Sequence, residues 1–298
     1  MFGSLFDRTV GSLGARALMT IVLPSLVFWV AIAAADGHQS VAIYRHWRTA
    51  DSASRGLVVF GAVGGFLLAS AILGLALPLF LDGYCGAWST GGTPGFVARL
   101  SRNRQLRRWR NLNLADQRSY QIRFQRFPVR EADLLPTRLG NVLRACVSYA
   151  SDERRYGMDI IYFWPRLYPL LPDVLRSALT EARAAMDLAL VTSILAWLFV
   201  PSVIALSALG GWIWPWGLVL AVAAGLLGCL AYSMLVNAAV TYTELVRSSV
   251  DVYRRLLLET MGFARPTTLA EERELWKAIG QLLYRRLAQN ENLVVFPP

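Results

Sequence analysis

The sequence predicts an all-α integral membrane protein with four transmembrane helices and a mainly helical cytoplasmic region. Three observations carry that expectation. Hydrophobic residues make up 55% of the 298-residue chain and charged residues 17%, with a mean hydropathy of +0.41, more apolar than a water-soluble domain of this size. The apolar residues gather into charge-free runs of about 20 residues, the length of helix that crosses a hydrocarbon layer of about 30 Å. The basic residues are kept out of those runs and crowd into the segments beside them.

The first run covers residues 17–35 and contains Ile21, Val22, Val27, Phe28, Trp29 and Ile32. Pro24 is expected to bend this helix rather than end it, because neighbouring helices can satisfy the carbonyl it frees. The lead before it, residues 1–16, is too long and too polar for a cleaved signal, so the run is read as an uncleaved span. The second run, residues 56–81, is rich in glycine. The third, residues 188–209, contains Pro201, and the fourth covers residues 214–240. A tight turn with Trp212, Trp214 and Trp216 joins the last two into a hairpin, with the tryptophans at headgroup level.

Four segments follow: a lead with spans 1 and 2 (residues 1–83), an Arg-rich segment (84–186), the hairpin of spans 3 and 4 (187–243) and a helical tail (244–298). Residues 84–183 hold 17 arginines against 8 acidic residues. The connection 36–55 holds only Arg45, Arg48 and Arg55, and the tryptophan turn has no basic residue. The positive-inside rule then puts both termini and the Arg-rich segment on the cytoplasmic side of a cell membrane.

Within the Arg-rich segment, residues 99–130 carry ten arginines and a single acid, Asp116. Tyr120 to Phe124 alternate large apolar with polar residues, which reads as a short strand. Beyond Pro136 the spacing becomes helical, with Leu139, Val142, Leu143, Cys146 and Tyr149 on one face. Residues 156–172 combine Ile160, Ile161, Tyr162, Phe163 and Trp164 with Pro165, Pro169 and Pro172, too many prolines for one helix. This stretch is expected to be an interfacial element with a hinge at the three prolines. In the tail the fourth span continues to Gly262, a plausible stop, and Thr268 with Glu271 has the spacing of a capping box.

Candidate functional residues follow from chemistry and spacing. Gly61 and Gly65, with Gly64 beside them, and in the fourth span Gly225 with Ala221 and Gly228 with Ala224, have the small-residue spacing that lets membrane helices approach closely, within one chain or between copies. The spans contain no ionisable residue with which to bind a coupling ion, which argues against secondary transport. A pore lined by small residues survives that test, and with four helices per chain it requires a homo-oligomer. Arg99, Arg102, Arg104, Arg107, Arg108 and Arg110 form a block suited to anionic lipid headgroups or a cytoplasmic protein partner, since guanidinium recognises phosphate and carboxylate bidentately. Its interleaved aromatics also fit single-stranded nucleic acid, but headgroups lie nearer to a chain anchored beside the inner leaflet. The leading expectation is a homo-oligomeric channel. Its rival is a membrane-anchored scaffold that holds lipid or a partner through the arginine block.

No metal, cofactor or enzymatic activity is predicted. His38 and His46 are the only histidines and lack converging ligands. Cys85, Cys146 and Cys229 are far apart in sequence and fit reduced thiols. Gly91-Gly92-Thr93-Pro94-Gly95 lacks the lysine of a phosphate loop, and no nucleophile elbow or dinucleotide fingerprint occurs.

Pro136-Thr137-Arg138-Leu139-Gly140-Asn141, Tyr156-Gly157 and Trp164-Pro165-Arg166-Leu167 resemble a pattern of uncharacterised bacterial multi-pass membrane proteins. Asp251-Val252-Tyr253-Arg254-Arg255 and Pro266 with Glu271-Glu272-Arg273 resemble a second block of the same family. The resemblance covers about a third of the chain, implies membrane placement and brings no activity. In its order of two spans, a cytoplasmic block, two spans and a tail, the chain also resembles the bestrophin anion channels. That likeness is of topology alone, because no bestrophin motif residue stands at a matching position.

Overall fold

The computed structural model describes residues 18–35, 44–49, 51–86, 95–209 and 214–285. The N-terminal lead, Asp36, His38, Gly91 to Pro94 and the Trp212 turn lie outside the described residues. Among those described, every regular element is helical. Helix α1 is Leu23–Ala35 and follows a π-helical turn, Leu18–Val22. Helix α2 is Ser52–Cys85, α3 Phe96–Asn111, α4 Gln117–Arg126 and α5 Arg138–Ser151. Helix α6 is Ile160–Leu167, α7 Asp173–Leu209, α8 Trp214–Thr260 and α9 Leu269–Gly280.

Three of these helices, α2, α7 and α8, are long and apolar enough to cross a membrane, where the sequence reads four. The difference lies in the first run. Its α-helical part has only 13 residues, and Pro24 stands in the first turn, where its missing N–H costs least. The winding changes from π to α just ahead of that proline.

The strand expected at Tyr120–Phe124 is helix α4. Five alternating residues also place Tyr120 and Phe124 four apart, on one helical face, so the pattern could not discriminate between the two. Local chemistry decides it. The Asp116 carboxylate accepts a hydrogen bond from Ser119 N at 2.9 Å and caps the helix start.

Two compact units divide the chain. Among the described residues, the apolar unit holds 18–81 and 184–237, and the Arg-rich unit holds 82–183 and 238–285. In the apolar unit, Phe28 of α1 meets Phe199 of α7 edge to face, with ring centroids 6.1 Å apart. Helices α7 and α8 approach closely at Gly228, where an added Cβ would stand 3.0 Å from the Trp197 indole nitrogen. There Ser193 Oγ donates to the Gly228 carbonyl at 3.2 Å. Helix α2 differs sharply: 6% of its apolar stretch is buried, against 50% for α7 and 33% for α8.

The Arg-rich unit is built on the apolar face of α5, where Leu139, Val142, Leu143, Cys146 and Tyr149 are buried. The start of α5 meets the end of α2 so tightly that a Cβ on Gly140 would collide with the Cys85 carbonyl oxygen. Only glycine fits that approach. The buried Asn141 side chain closes the preceding turn, accepting from Leu135 N at 2.7 Å and donating to Leu135 O at 3.0 Å.

The proline-rich segment packs one side into the core and leaves Arg166, Pro169 and Pro172 exposed. Ile160, Phe163, Trp164, Leu167 and Leu171 are all buried, and Phe163 packs edge to face on Trp276 of α9 at 4.8 Å. Pro165 lies inside α6, Pro169 in the 3-10 turn Tyr168–Leu170, and Pro172 directly before α7. The breaks let the chain turn over the Trp276 side chain instead of running straight.

Helix α8 ends at the expected stop. Gly262 has φ +81°; its N–H donates to Glu259 O at 2.9 Å, and Phe263 N donates to Leu258 O at 3.0 Å. Those two bonds are a Schellman motif, and Phe263 and Leu258, the positions at which that motif carries its apolar residues, are both buried.

Candidate functional site

Two arrangements in the Arg-rich unit gather polar chemistry: a buried row on α8 and the outward face of α3. The α8 row is Glu244, Arg247, Asp251 and Arg254, residues three or four apart that share one helical face. Arg247 is 3% exposed. It donates to the Phe124 carbonyl at 3.0 Å and to Glu244 at 3.2 Å. Its guanidinium carbon also lies 4.8 Å from the Phe124 ring centroid and 5.3 Å from that of Tyr149. Weak hydration and a planar cation suit arginine to this desolvated, aromatic position.

One turn on, the Asp251 carboxylate accepts two phenols, Tyr149 at 2.8 Å and Tyr156 at 3.0 Å. Burial, reinforced by donation to Asp251, raises both tyrosine pKa values above the ordinary one. Arg254 stacks 4.0 Å over the Tyr156 ring and donates Nε to Glu272 of α9 at 2.8 Å. The Arg254 side chain is 12% exposed and that of Glu272 is 1% exposed. Arg273 then reaches back to the Glu153 carbonyl at 2.7 Å.

Apart from Arg247 Nε, which is buried without a hydrogen-bond partner among the described residues, this row pairs its charges within the unit and sets no acid and base at an open cleft there, so its chemistry is cohesive. The Cys146 thiol beside it is pushed up to about 11 by burial; it stays protonated at neutral pH and fills space. Two small clefts open elsewhere in the unit. One of about 230 Å³ is lined by Asp159, Tyr162, Trp276 and Lys277, and one of about 190 Å³ by Arg130, Asp133, Arg144 and Ser148. Both fall below the roughly 300 Å³ at which small-molecule sites begin.

Helix α3 is oriented by its inward face. Ser101 Oγ donates to Pro136 O at 2.6 Å, Arg102 Nε to Leu134 O at 3.1 Å and Trp109 Nε1 to Pro128 O at 3.3 Å. Arg123 of α4 lies 3.9 Å over the Trp109 ring, and Ala98 and Gln105 are buried between these anchors.

The six arginines of the sequence block therefore divide. Arg102 is spent on the unit itself, and Arg110 pairs with Glu131 at 2.7 Å. Arg99, Arg104, Arg107 and Arg108 are exposed and form no ion pair with a described residue.

The five glycines also divide. Gly228 sits at the α7–α8 contact, whereas a Cβ at Gly61, Gly64, Gly65 or Gly225 would meet nothing within 4 Å. Sequence reasoning assigned no role to Arg247 or Tyr149 and met Tyr156, Asp251 and Arg254 only within the family pattern. The spacing 244, 247, 251, 254 carried the signal: charged residues at helical intervals along α8. No family model, curated protein or solved structure matches this chain.

Proposed function

We propose that this chain is a multi-pass cell-membrane protein whose spans anchor the Arg-rich unit as a binding module on the cytoplasmic side. Residues 18–35 supply a fourth span in this reading, their 18 residues reaching about 27 Å at the α-helical rise, so both termini are cytoplasmic. One observation carries the module reading. A folded unit that pairs its buried charges internally leaves Arg99, Arg104, Arg107 and Arg108 of α3 outside that pairing. Guanidinium groups that form no ion pair with a described residue, on a rigid, anchored helix, favour a phosphate- or carboxylate-bearing partner.

Full-length protein in neutral detergent is expected to bind a soluble polyanion, inorganic polyphosphate, with affinity that falls steeply as salt rises. The Arg104→Gln, Arg107→Gln, Arg108→Gln triple variant should bind at least about tenfold more weakly, each lost cation removing on the order of 1 kcal/mol of attraction. Equal binding by the variant would remove α3 from the reading.

A second reading, a homo-oligomeric channel, is favoured by the uncovered helix α2. Its glycine face at Gly61, Gly64 and Gly65 has room for another helix, and copies packed there could surround a pore lined by small residues. Wild-type protein in planar bilayers should then give unitary conductance that Gly65→Leu removes. Silence across ions, voltages and pH counts against the pore.

A further inference from the structure

We propose that the outward face of α3 is a docking surface for the anionic bilayer itself, its first turns entering the headgroup layer and its later turns taking lipid phosphates. This rests on the binding-module reading and names the partner. At 3.6 residues per turn, Phe96, Val97 and Leu100 fall within one arc of about 120° with Arg104, Arg107 and Arg108, centred roughly 130° from the anchored arc of Ala98, Ser101, Arg102, Gln105 and Trp109. Phe96 is 81% exposed, Val97 69% and Leu100 46%. One helical face is thus apolar along its N-terminal half and basic along its C-terminal half.

A soluble acidic partner explains the arginines and leaves three large apolar side chains in water. A purely apolar contact explains Phe96, Val97 and Leu100 and strands the arginines. An anionic leaflet matches both halves, because apolar side chains sink to the acyl boundary while guanidinium groups stay level with the phosphates.

Chain connectivity agrees, because α3 begins eleven residues after Cys85 ends the long apolar helix α2. That distance puts the start of α3, with Phe96 and Val97, in the juxtamembrane range of about 15–20 residues, and the rigid helix carries Arg104, Arg107 and Arg108 onward from there. The inward hydrogen bonds of Ser101, Arg102 and Trp109 fix the rotation of the helix, so the outward arc is presented as a rigid surface.

The test uses full-length protein with Cys229→Ser, in which Cys85 and Cys146 stay buried, and a nitroxide on Val97→Cys. The protein is reconstituted in nanodiscs of phosphatidylcholine alone or mixed with phosphatidylglycerol. In the anionic discs the label should collide preferentially with oxygen rather than with a water-soluble nickel chelate. Replacing Arg104, Arg107 and Arg108 with Gln should return it to the aqueous signature, with nickel collisions rising severalfold.

A label that stays aqueous in both discs overturns the proposal. So does one buried equally in both discs and unaffected by the Gln substitutions, which would make the contact apolar only. If the label stays aqueous while polyphosphate still binds through the three arginines, the partner is a soluble anion, and the binding-module reading stands without the bilayer. If neither membrane contact nor polyphosphate binding depends on those arginines, both readings fall.

Discussion

The two units treat their difficult side chains in opposite ways. The Arg-rich unit buries Arg247 and Glu272 almost completely and surrounds them with carbonyls, rings and a counter-charge. The apolar unit contains residues 52–81 of α2, a helix of which 6% of the apolar stretch is buried. In water the first arrangement is self-sufficient, whereas the second would expose Leu57, Phe60, Leu75 and Leu79 along one helix. Lipid removes that penalty, because acyl chains are as apolar as leucine. The contrast separates a part that folds by internal pairing from a part whose missing contacts belong to its surroundings.

The largest test of this contrast is Glu272→Ala. It leaves Arg254 nearly buried without its carboxylate, and removing one partner of a buried pair costs about 3–5 kcal/mol. Thermal unfolding of the full-length protein, followed by near-ultraviolet circular dichroism of the aromatic core, should show the loss. Glu274→Ala, which breaks the exposed pair with Lys277 at 3.2 Å, should cost less than about 1 kcal/mol. Similar effects from both substitutions would mean that the buried row does not hold α9 to α8.

Next in size is a pair of leucine substitutions in the apolar unit. Gly228→Leu drives its side chain into the Trp197 indole, which an added Cβ would already approach to 3.0–3.2 Å. Overpacking of that kind costs about 1–3 kcal/mol. A Cβ at Gly65 would meet nothing within 4 Å, so Gly65→Leu should leave monomer stability unchanged in sodium dodecyl sulfate titrations of helicity. Destabilisation by Gly65→Leu in a confirmed monomer would show that α2 is covered after all.

A smaller effect is expected at high pH, confined to the Arg-rich unit. Burial and donation to Asp251 favour the neutral phenols of Tyr149 and Tyr156, so their folded pKa values lie above the unfolded value of about 10. A raised pKa contributes stability that is complete below the unfolded value and is lost as pH climbs from there through the folded one. The tyrosine contribution to melting temperature should fall beyond about pH 10, on top of a loss from about pH 9 upward due to the raised Cys146 thiol. Tyr149→Phe, which has no proton to lose, should flatten that slope; an unchanged slope would assign the alkaline loss to other groups.

Much of this architecture can be read in the sequence. The runs that form α2, α7 and α8, the stop at Gly262 and the apolar face of α5 follow from periodicity and from single residues with strong backbone preferences. Helix α4 was hidden because Tyr120 and Phe124 fit both two- and four-residue periods, and its cap, Asp116, stood alone among arginines. The aromatic core around Phe163 was hidden for another reason: proline density marks where a helix breaks, not which way the chain then turns. The buried row on α8 needed partners more than 90 residues away, Tyr149 and Tyr156 with Asp251, and no local pattern encodes that distance. Arginine content located the basic block, but only the carbonyls of Leu134 and Pro136 divide its inward from its outward side chains.

The smallest predicted effect concerns a feature visible in both sequence and structure. Thr268 Oγ1 accepts from Glu271 N at 3.2 Å, and the Glu271 carboxylate returns to Thr268 N at 3.3 Å and to Thr267 N at 2.8 Å. This capping box occupies N–H groups that α9 would otherwise leave unpaired in its first turn. Thr268→Ala removes one side of it and should cost about 1 kcal/mol, whereas Thr268→Ser should cost almost nothing, because serine caps as well. Since α9 carries Glu272 to Arg254 and Trp276 to Phe163, fraying its start also loosens two contacts deeper in the unit. A loss well above about 2 kcal/mol, the upper end for a cap, would mean that the helix start and the buried pair fail together. Adding Thr268→Ala to Glu272→Ala separates the cases: independent sites give additive losses, and a shared failure gives less than the sum.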